Sequence, residues 1–138
     1  MMVLLNIINH VRENISKIIL EKGYNKVNFV VEPSRSGFGD ITCNVAFLLA
    51  KSLRKTPWEI AQELAGIYDI RQSKELDKAE AHQSGYLNFF LNSNSFNKAV
   101  LLESQKKNYG SIDIGKNSKL VVEHTSVNPN KALHIGHL

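Results

Sequence analysis

The sequence predicts an α+β fold in which about four helices pack on a small, mainly antiparallel sheet. Apolar residues recur every three or four positions over residues 3–21, which indicates an amphipathic helix. Residues 76–83 and 86–91 are typical of two strands joined by a glycine turn. An apolar run that ends at residue 122 then leads into a polar turn and a helix start. This last pattern predicts the first strand and loop of a separate nucleotide-binding fold.

The first helix and the first strand are predicted from apolar spacing and from the residues that end them. Residues 3–21 place apolar side chains on one helix face, and Gly23 ends the helix because glycine accepts the left-handed conformation of a C-terminal cap. This stripe is expected to be core only. It contains Leu4, Ile7, Ile8, Val11, Ile15, Ile18 and Ile19. A short strand is predicted over residues 27–31, closed by Pro33.

Two further helices are predicted from their N-terminal residues. The second covers residues 40–53, with Asp40 as its N-cap and Ile41 among the side chains that face inward. The third begins at Thr56-Pro57-Trp58-Glu59, which has the pattern of a capping box with proline at the first helical position. It continues to about residue 67, and Trp58 is expected to pack at its start.

The remaining elements follow a polar loop over residues 69–75. The two strands are predicted over residues 76–83 and 86–91. A fourth helix is predicted from residue 93 or 95 to residue 107, with lysines near its C-terminal end. The glycine-containing stretch 109–118 is expected to be a linker.

The strand over residues 86–91 has two different faces, because successive residues of a strand point in opposite directions. The expected core face carries Leu87, Phe89 and Leu91. The opposite face carries Tyr86, Asn88 and Phe90. An aromatic ring beside an amide can stack on an unpaired base and hydrogen-bond to its edge. Half-buried packing of Tyr86 within the sheet accounts for the same pattern about as well.

The segment 121–138 carries the strongest functional pattern of the chain. A helix N-terminus binds phosphate through its unpaired N–H groups and its dipole. His134 and His137 stand three residues apart, so both can reach one phosphate from one face of a helix. Gly136 lets a base or a ribose approach the backbone, and Lys131 adds a mobile positive charge for a triphosphate.

Two histidines at this spacing also fit an ordinary surface or a metal site. The metal site is disfavoured because the single cysteine, Cys43, lies far away in sequence and no other His or Cys pair completes a zinc ligand set. The apolar run before the histidines favours the nucleotide site over the surface interpretation.

The tract 123–138 resembles the first signature of class I aminoacyl-tRNA synthetases, whose H-I-G-H motif is present letter for letter at residues 134–137. The preceding letters, E-H-T-S-V-N-P-N-K-A-L, are similar to the arginyl-tRNA synthetase version. F-G-D-I-T-C-N at residues 38–44 resembles the G-D-x-x-x-N element of that family, and S-G-Y-L-N-F-F-L at residues 84–91 resembles its G-F-x-N-x-F-L element. The resemblance covers essentially the whole chain and is specific in these three places.

The resemblance implies a role for each group of matched residues. L-arginine would be bound, through charge-assisted hydrogen bonds, by Glu123, Ser126 and Asn128. ATP, with Mg²⁺ on its phosphates, would be bound by His134, Gly136 and His137. Catalysis would depend on His134, His137 and Lys131. The D-loop of tRNA(Arg) would be contacted by Gln83, Tyr86 and Asn88.

The same resemblance implies the domain organisation. Residues 1–108 would form an additional tRNA-binding domain, and residues 109–118 would form the linker. Residues 119–138 would be the start of a truncated, Rossmann-like class I catalytic domain. The chain is therefore expected to be the N-terminal piece of a longer, monomeric arginine–tRNA ligase and to be inactive alone.

Composition fits a cytoplasmic protein. The net charge of +4 is compatible with RNA contact through phosphates, but by itself it favours an ordinary solvated surface. The apolar N-terminus is interrupted by Asn6, Asn9 and His10, which excludes a signal sequence or a membrane span there. Two alternatives remain. One is a stand-alone RNA-binding module without catalysis, and the other is a different H-x-G-H nucleotidyltransferase, which the long leading segment disfavours.

Overall fold

Four helices and a four-stranded antiparallel sheet make up the regular structure of the described residues. The computed structural model describes residues 2–35, 37–111, 115, 118–122, 130, 132 and 135. The helices are α1 (Met2–Glu21), α2 (Val45–Leu53), α3 (Pro57–Ile67) and α4 (Ser93–Ser104), with a 3-10 turn over Ile70–Gln72. The strands are β1 (Val31–Pro33), β2 (Ile41–Cys43), β3 (Leu76–Ala81) and β4 (Leu87–Leu91). The predicted α+β class, with helices on a mainly antiparallel sheet, is confirmed.

The sheet has the strand order β1-β2-β4-β3, and each neighbouring pair is antiparallel. The central strands β2 and β4 bury one face completely, since Ile41, Cys43, Leu87 and Phe89 are all 0% exposed. Helix α1 adds Val11 and Ile15 to the same core, as its apolar spacing predicts. Burial also raises the pKa of the Cys43 thiol to about 12, so the thiol is a packing group at neutral pH.

Helix α3 begins as its sequence predicts. The Thr56 hydroxyl accepts from the Glu59 backbone N–H at 3.2 Å, and the Glu59 carboxylate accepts from the Thr56 backbone N–H at 2.8 Å. These hydrogen bonds to Thr56 lower the pKa of Glu59. The complete capping box therefore fixes the start of α3 against the neighbouring turn.

The helix predicted over residues 40–53 is wrong in its first part. Residues 41–43 form strand β2, and the N-cap of the shorter helix α2 is Asn44. Asp40 does not cap a helix, because its carboxylate accepts from the Leu91 backbone N–H at 2.8 Å on strand β4. The Asn44 side chain accepts from the Val30 backbone N–H at 2.9 Å. Asp40 and Asn44, the Asp and Asn of the G-D-x-x-x-N element, thus attach the two ends of β2 to β4 and to the residue before β1.

The first strand also differs from the prediction. It covers Val31–Pro33 instead of residues 27–31, and Pro33 is its last residue, so proline ends the strand as predicted. Proline is tolerated there because β1 is an edge strand. On the side of β1 that has no neighbouring strand, a missing N–H costs no hydrogen bond between strands.

Few residues beyond 111 are described. Residues 118–122 lie outside helices and strands and are exposed, with Val121 at 97% and Val122 at 80%. Most of the predicted opening strand and loop of the second fold lies outside the described residues. Within the described part of the chain, no helix combines the length and the apolar character that a membrane span requires.

Candidate nucleic-acid interface

The sheet face opposite the core carries a continuous polar row. Glu32 pairs with Thr42, Thr42 with Asn88, and Asn88 with Glu80, so one residue from each strand lies on a line across the sheet. We call these residues the outer row. They alternate with the fully buried positions of β2 and β4, as strand geometry requires.

The outer row opens into a groove of about 650 Å³. Its walls come from the end of β1 and the loop after it, from β2, and from the turn and strand at the start of β4. The lining residues are Glu32, Pro33, Ser34, Arg35, Phe38, Thr42, His82, Ser84, Tyr86 and Asn88. The groove is large enough for a flat aromatic ligand to contact several of these side chains together.

Two aromatic pairs border the groove. Tyr86 is 41% exposed and meets Phe47 of α2 edge to face, with the ring centroids 4.9 Å apart and the planes at 64°. Phe38 and His82 meet at 5.0 Å and 89°. Such edge-to-face contacts hold a ring in one orientation while leaving a face accessible.

The turn that carries Tyr86 lies directly against the N-terminus of α3. Gly85 has φ +99°, and a Cβ at this position would be only 2.4 Å from Cβ of Pro57 and 3.2 Å from Cζ of Phe47. Glycine is therefore required both for the backbone conformation and for the close packing. His82 is held to the same turn, since its Nδ1 lies 2.6 Å from the Ser84 hydroxyl.

Asn88 lies at the floor of the groove. This residue is only 5% exposed. Its side-chain oxygen Oδ1 accepts a hydrogen bond from the Thr42 hydroxyl at 2.8 Å. The sequence-based expectation that this face would expose the amide is thus only partly met, because neighbouring side chains surround Asn88 and leave it reachable through the groove.

The charges around the groove are mixed. Arg35 is exposed at one wall and Glu32 lies beside it in the lining. Lys78 of β3 lies with its Nζ 4.3 Å from the centre of the Phe90 ring and 2.7 Å from the Glu80 carboxylate. Among the described residues, no cluster of three or more His, Cys, Asp or Glu side chains is arranged to hold a metal ion.

The structure brings together two of the three residues predicted to contact RNA. Tyr86 and Asn88 line the same groove, whereas Gln83 is exposed on the β3–β4 turn and does not line it. Sequence reasoning missed Thr42, His82 and Phe38. Thr42 carried no usable signal, because the three residues of β2 are too few to define the alternation of a strand.

The predicted arginine and ATP residues all lie outside the described residues. They are Glu123, Ser126, Asn128, Lys131, His134, Gly136 and His137.

Comparison with known proteins identifies the family. The family model described as the arginyl tRNA synthetase N-terminal domain matches residues 5–91, which include the whole sheet and the groove. The chain belongs to this family. The resemblance stated from the three sequence motifs is therefore confirmed.

Individual relatives agree with the family assignment. The arginine–tRNA ligase of Thermococcus sibiricus is 45% identical over 102 residues, covering 72% of this chain and 16% of the relative. That of Pyrococcus furiosus is 46% identical over 113 residues, covering 80% and 18%. Among solved structures, Thermus thermophilus arginyl-tRNA synthetase matches with a TM-score of 0.58 and 31% identity, covering 94% of this chain and 20% of that one. The chain thus spans between 16% and 20% of the length of these arginyl-tRNA synthetases.

Proposed function

We propose that this chain is the N-terminal, tRNA-binding part of an arginine–tRNA ligase, and that its groove binds an unpaired base of the D-loop of tRNA(Arg). The observation that carries the proposal is the juxtaposition of the accessible Tyr86 ring with the Asn88 amide in one groove. Family membership supplies the partner, and the side chains supply the means of contact.

Stacking is the contact that Tyr86 can provide. Every base has a flat face, and stacking on an aromatic side chain is worth about 1–3 kcal/mol per base. Phe47 holds the Tyr86 ring from one edge, so little conformational entropy is lost when a base stacks on it. Asn88 then lies beside the stacking position, where its amide can hydrogen-bond to the edge of the base.

A second groove of the fold is a weaker candidate. It has a volume of about 590 Å³ and lies between α1, α4 and the segment after the 3-10 turn. Its lining combines Glu75 and Glu103 with Lys74 and Lys106, and its described residues include no Phe, Tyr or Trp. These opposite charges offset one another, and without an aromatic ring the groove offers a base little to stack on.

The whole ligase, in this proposal, activates arginine with ATP and transfers the arginyl group to tRNA(Arg). L-arginine would be held by Glu123, Ser126 and Asn128. His134, Gly136 and His137 would hold ATP, with Lys131 assisting at the triphosphate. Mg²⁺ accompanies ATP and neutralises phosphate charge when bound.

The proposed domain organisation follows from this division of roles. Residues 1–108 would form the tRNA-binding domain, and residues 119–138 would begin the Rossmann-like catalytic domain. Residues 109–118 would be the linker between the two domains. The described fold, which ends with α4 at residue 104, is consistent with the first of these boundaries.

The role of the groove in tRNA binding is tested by titrating a fluorescent tRNA(Arg) transcript with the chain and with its Tyr86→Ala variant. Loss of one stacking contact should raise the Kd about 5- to 150-fold. Tyr109→Ala is the matched control, because Tyr109 is an exposed tyrosine that does not line the groove. The control should bind like the unchanged chain. Equal binding by all three proteins, or no binding by any, would contradict the proposal.

The catalytic assignment is tested in the whole ligase that contains this chain. His134→Ala and His137→Ala should each lower kcat for arginylation by about 10²–10³, because each removes a donor to charge that develops on phosphate. The affinity for tRNA(Arg) should stay unchanged, since the groove is intact. Normal arginylation by both variants would refute the site. A protein that binds tRNA(Arg) in the groove and never arginylates it would instead be the stand-alone RNA-binding module.

A further inference from the structure

We propose that Thr42 is a positioning residue of the groove: its hydroxyl holds the Asn88 amide so that the NH₂ group, and not the carbonyl, meets the bound base. The edge of the base in contact with Asn88 would then present a hydrogen-bond acceptor, a carbonyl oxygen or a ring nitrogen. This inference rests on the proposed function and adds the direction of the hydrogen bond.

The two residues face each other across the central strands of the sheet. Thr42 of β2 and Asn88 of β4 are direct partners in the antiparallel register, so their side chains leave the same face at close range. The Thr42 Oγ1 donates to Oδ1 of Asn88 at 2.8 Å. Both strands have neighbours on either side, and their opposite face is fully buried, so the register that aligns the pair is fixed.

Only part of the hydrogen-bonding capacity of the Asn88 side chain is used. An asparagine amide has one carbonyl oxygen and two N–H donors. Thr42 occupies the oxygen, whereas no described residue accepts from Nδ2. Asn88 is 5% exposed and lines the groove, so the access that its amide has to solvent or to a ligand is through the groove. An acceptor on the ligand can take up this donor in place of water.

The hydrogen bond from Thr42, and not the charge of the outer row, sets this orientation. Glu32 and Glu80 flank the Thr42–Asn88 pair in the row, but Lys78 lies 2.7 Å from the Glu80 carboxylate, so the charge around the pair is mixed. The rotated amide would lose the hydrogen bond that the Thr42 hydroxyl donates to Oδ1.

Binding of the tRNA(Arg) transcript by the 138-residue chain tests the inference. Thr42→Val keeps the shape of the side chain and removes the hydroxyl, so the amide loses its orientation and the Kd should rise about 5- to 10-fold. Thr42→Ser restores the hydroxyl and should bind within about 2-fold of the unchanged chain. Ser16→Ala is the control, because the Ser16 hydroxyl donates to the Arg12 carbonyl of its own helix and does not line the groove.

A double-mutant cycle separates positioning from a general structural role. If Thr42 acts through Asn88, Thr42→Val should change the Kd by less than about 2-fold once Asn88 is replaced by alanine. A structural role would give the same loss in both backgrounds and would overturn the inference. The side-chain NH₂ signals of Asn88 in NMR spectra give a measurement that needs no variant. RNA should shift both proton signals, and unmoved signals would overturn the inference.

The outcomes distinguish this inference from the function on which it rests. In one outcome the unchanged chain binds the transcript, Tyr86→Ala weakens binding and Thr42→Val does not. Thr42 then does not orient Asn88, and the groove is still supported as the binding site. If Tyr86→Ala has no effect, the proposed function fails and the inference fails with it.

Discussion

Gly85 is the residue on which the geometry of the groove depends most. It combines a left-handed backbone conformation with close contact to Pro57, and it directly precedes Tyr86. A side chain here must displace the turn from the N-terminus of α3, and the Tyr86 ring moves with the turn.

Gly85→Ala should therefore lower both stability and RNA binding. A non-glycine residue in this conformation costs on the order of 1–3 kcal/mol, which thermal or denaturant unfolding measures directly. The control is Gly66→Ala in α3, where a Cβ meets nothing within 4 Å. Alanine is the better helix former, so this variant should be as stable as the unchanged chain or up to about 1 kcal/mol more stable. A Gly85→Ala variant with unaltered stability would show that the turn does not need glycine.

Residue identities alone could not predict every contact of the site. Tyr86 and Asn88 were predictable because strand alternation places them on one face. Thr42 was not, since residues 40–53 satisfy a helical pattern and Asp40 is a good helix cap. In the fold, Asp40 binds the Leu91 backbone N–H instead, and pairing with two neighbouring strands outweighs the local helical preference.

At the scale of elements, a charged cluster joins the end of α1 to α3. Glu63 of α3 accepts from the Tyr24 hydroxyl at 2.7 Å and from Lys55 Nζ at 2.7 Å. The hydrogen bond from Lys55, followed by that from Tyr24, lowers the pKa of Glu63. The cluster therefore favours the ionised carboxylate in the folded state.

This pKa shift predicts how stability changes with pH. Because the folded-state pKa of Glu63 is below its unfolded value, the stabilisation is present above the ordinary glutamate pKa of about 4.3 and is lost as pH falls through the folded pKa. Glu63→Gln should thus lower the free energy of unfolding at pH 7 by roughly 0.2–1 kcal/mol, the range for exposed ion pairs. The difference should shrink toward pH 3.

Denaturant titrations at pH 7 and at acidic pH measure this difference. Glu21→Gln, at an exposed position of α1 outside the cluster, is the control and should show a smaller change. A Glu63→Gln effect that stays constant down to pH 3 would mean that the ionised carboxylate is not the source of the stabilisation.

Long elements with clear end signals were predictable, and short ones were not. Helix α1 follows from its apolar spacing and α3 from its capping box. Strands β1 and β2 have three residues each, too few for a periodic pattern, so their positions depend on the partners that they pair with. Pro33 illustrates this, because proline is tolerated as the last residue of β1 where this strand forms the edge of the sheet.

At the scale of the whole molecule, net charge and groove would contribute differently to the proposed RNA binding. A net charge of +4 would attract a polyanion without selecting a sequence. The groove has few positive side chains and two aromatic pairs, so it is suited to a base more than to phosphates. We therefore expect tRNA contact to be concentrated on the outer face of the sheet.

NMR mapping of the contact with tRNA(Arg) tests the proposed interface. Backbone and side-chain signals of the chain would be compared before and after addition of tRNA(Arg). We expect the largest shifts for Thr42, His82, Tyr86 and Asn88, with small shifts for His10 and Lys106 in the groove between α1 and α4. Large shifts at that second groove, with the outer face of the sheet unchanged, would contradict the proposed interface.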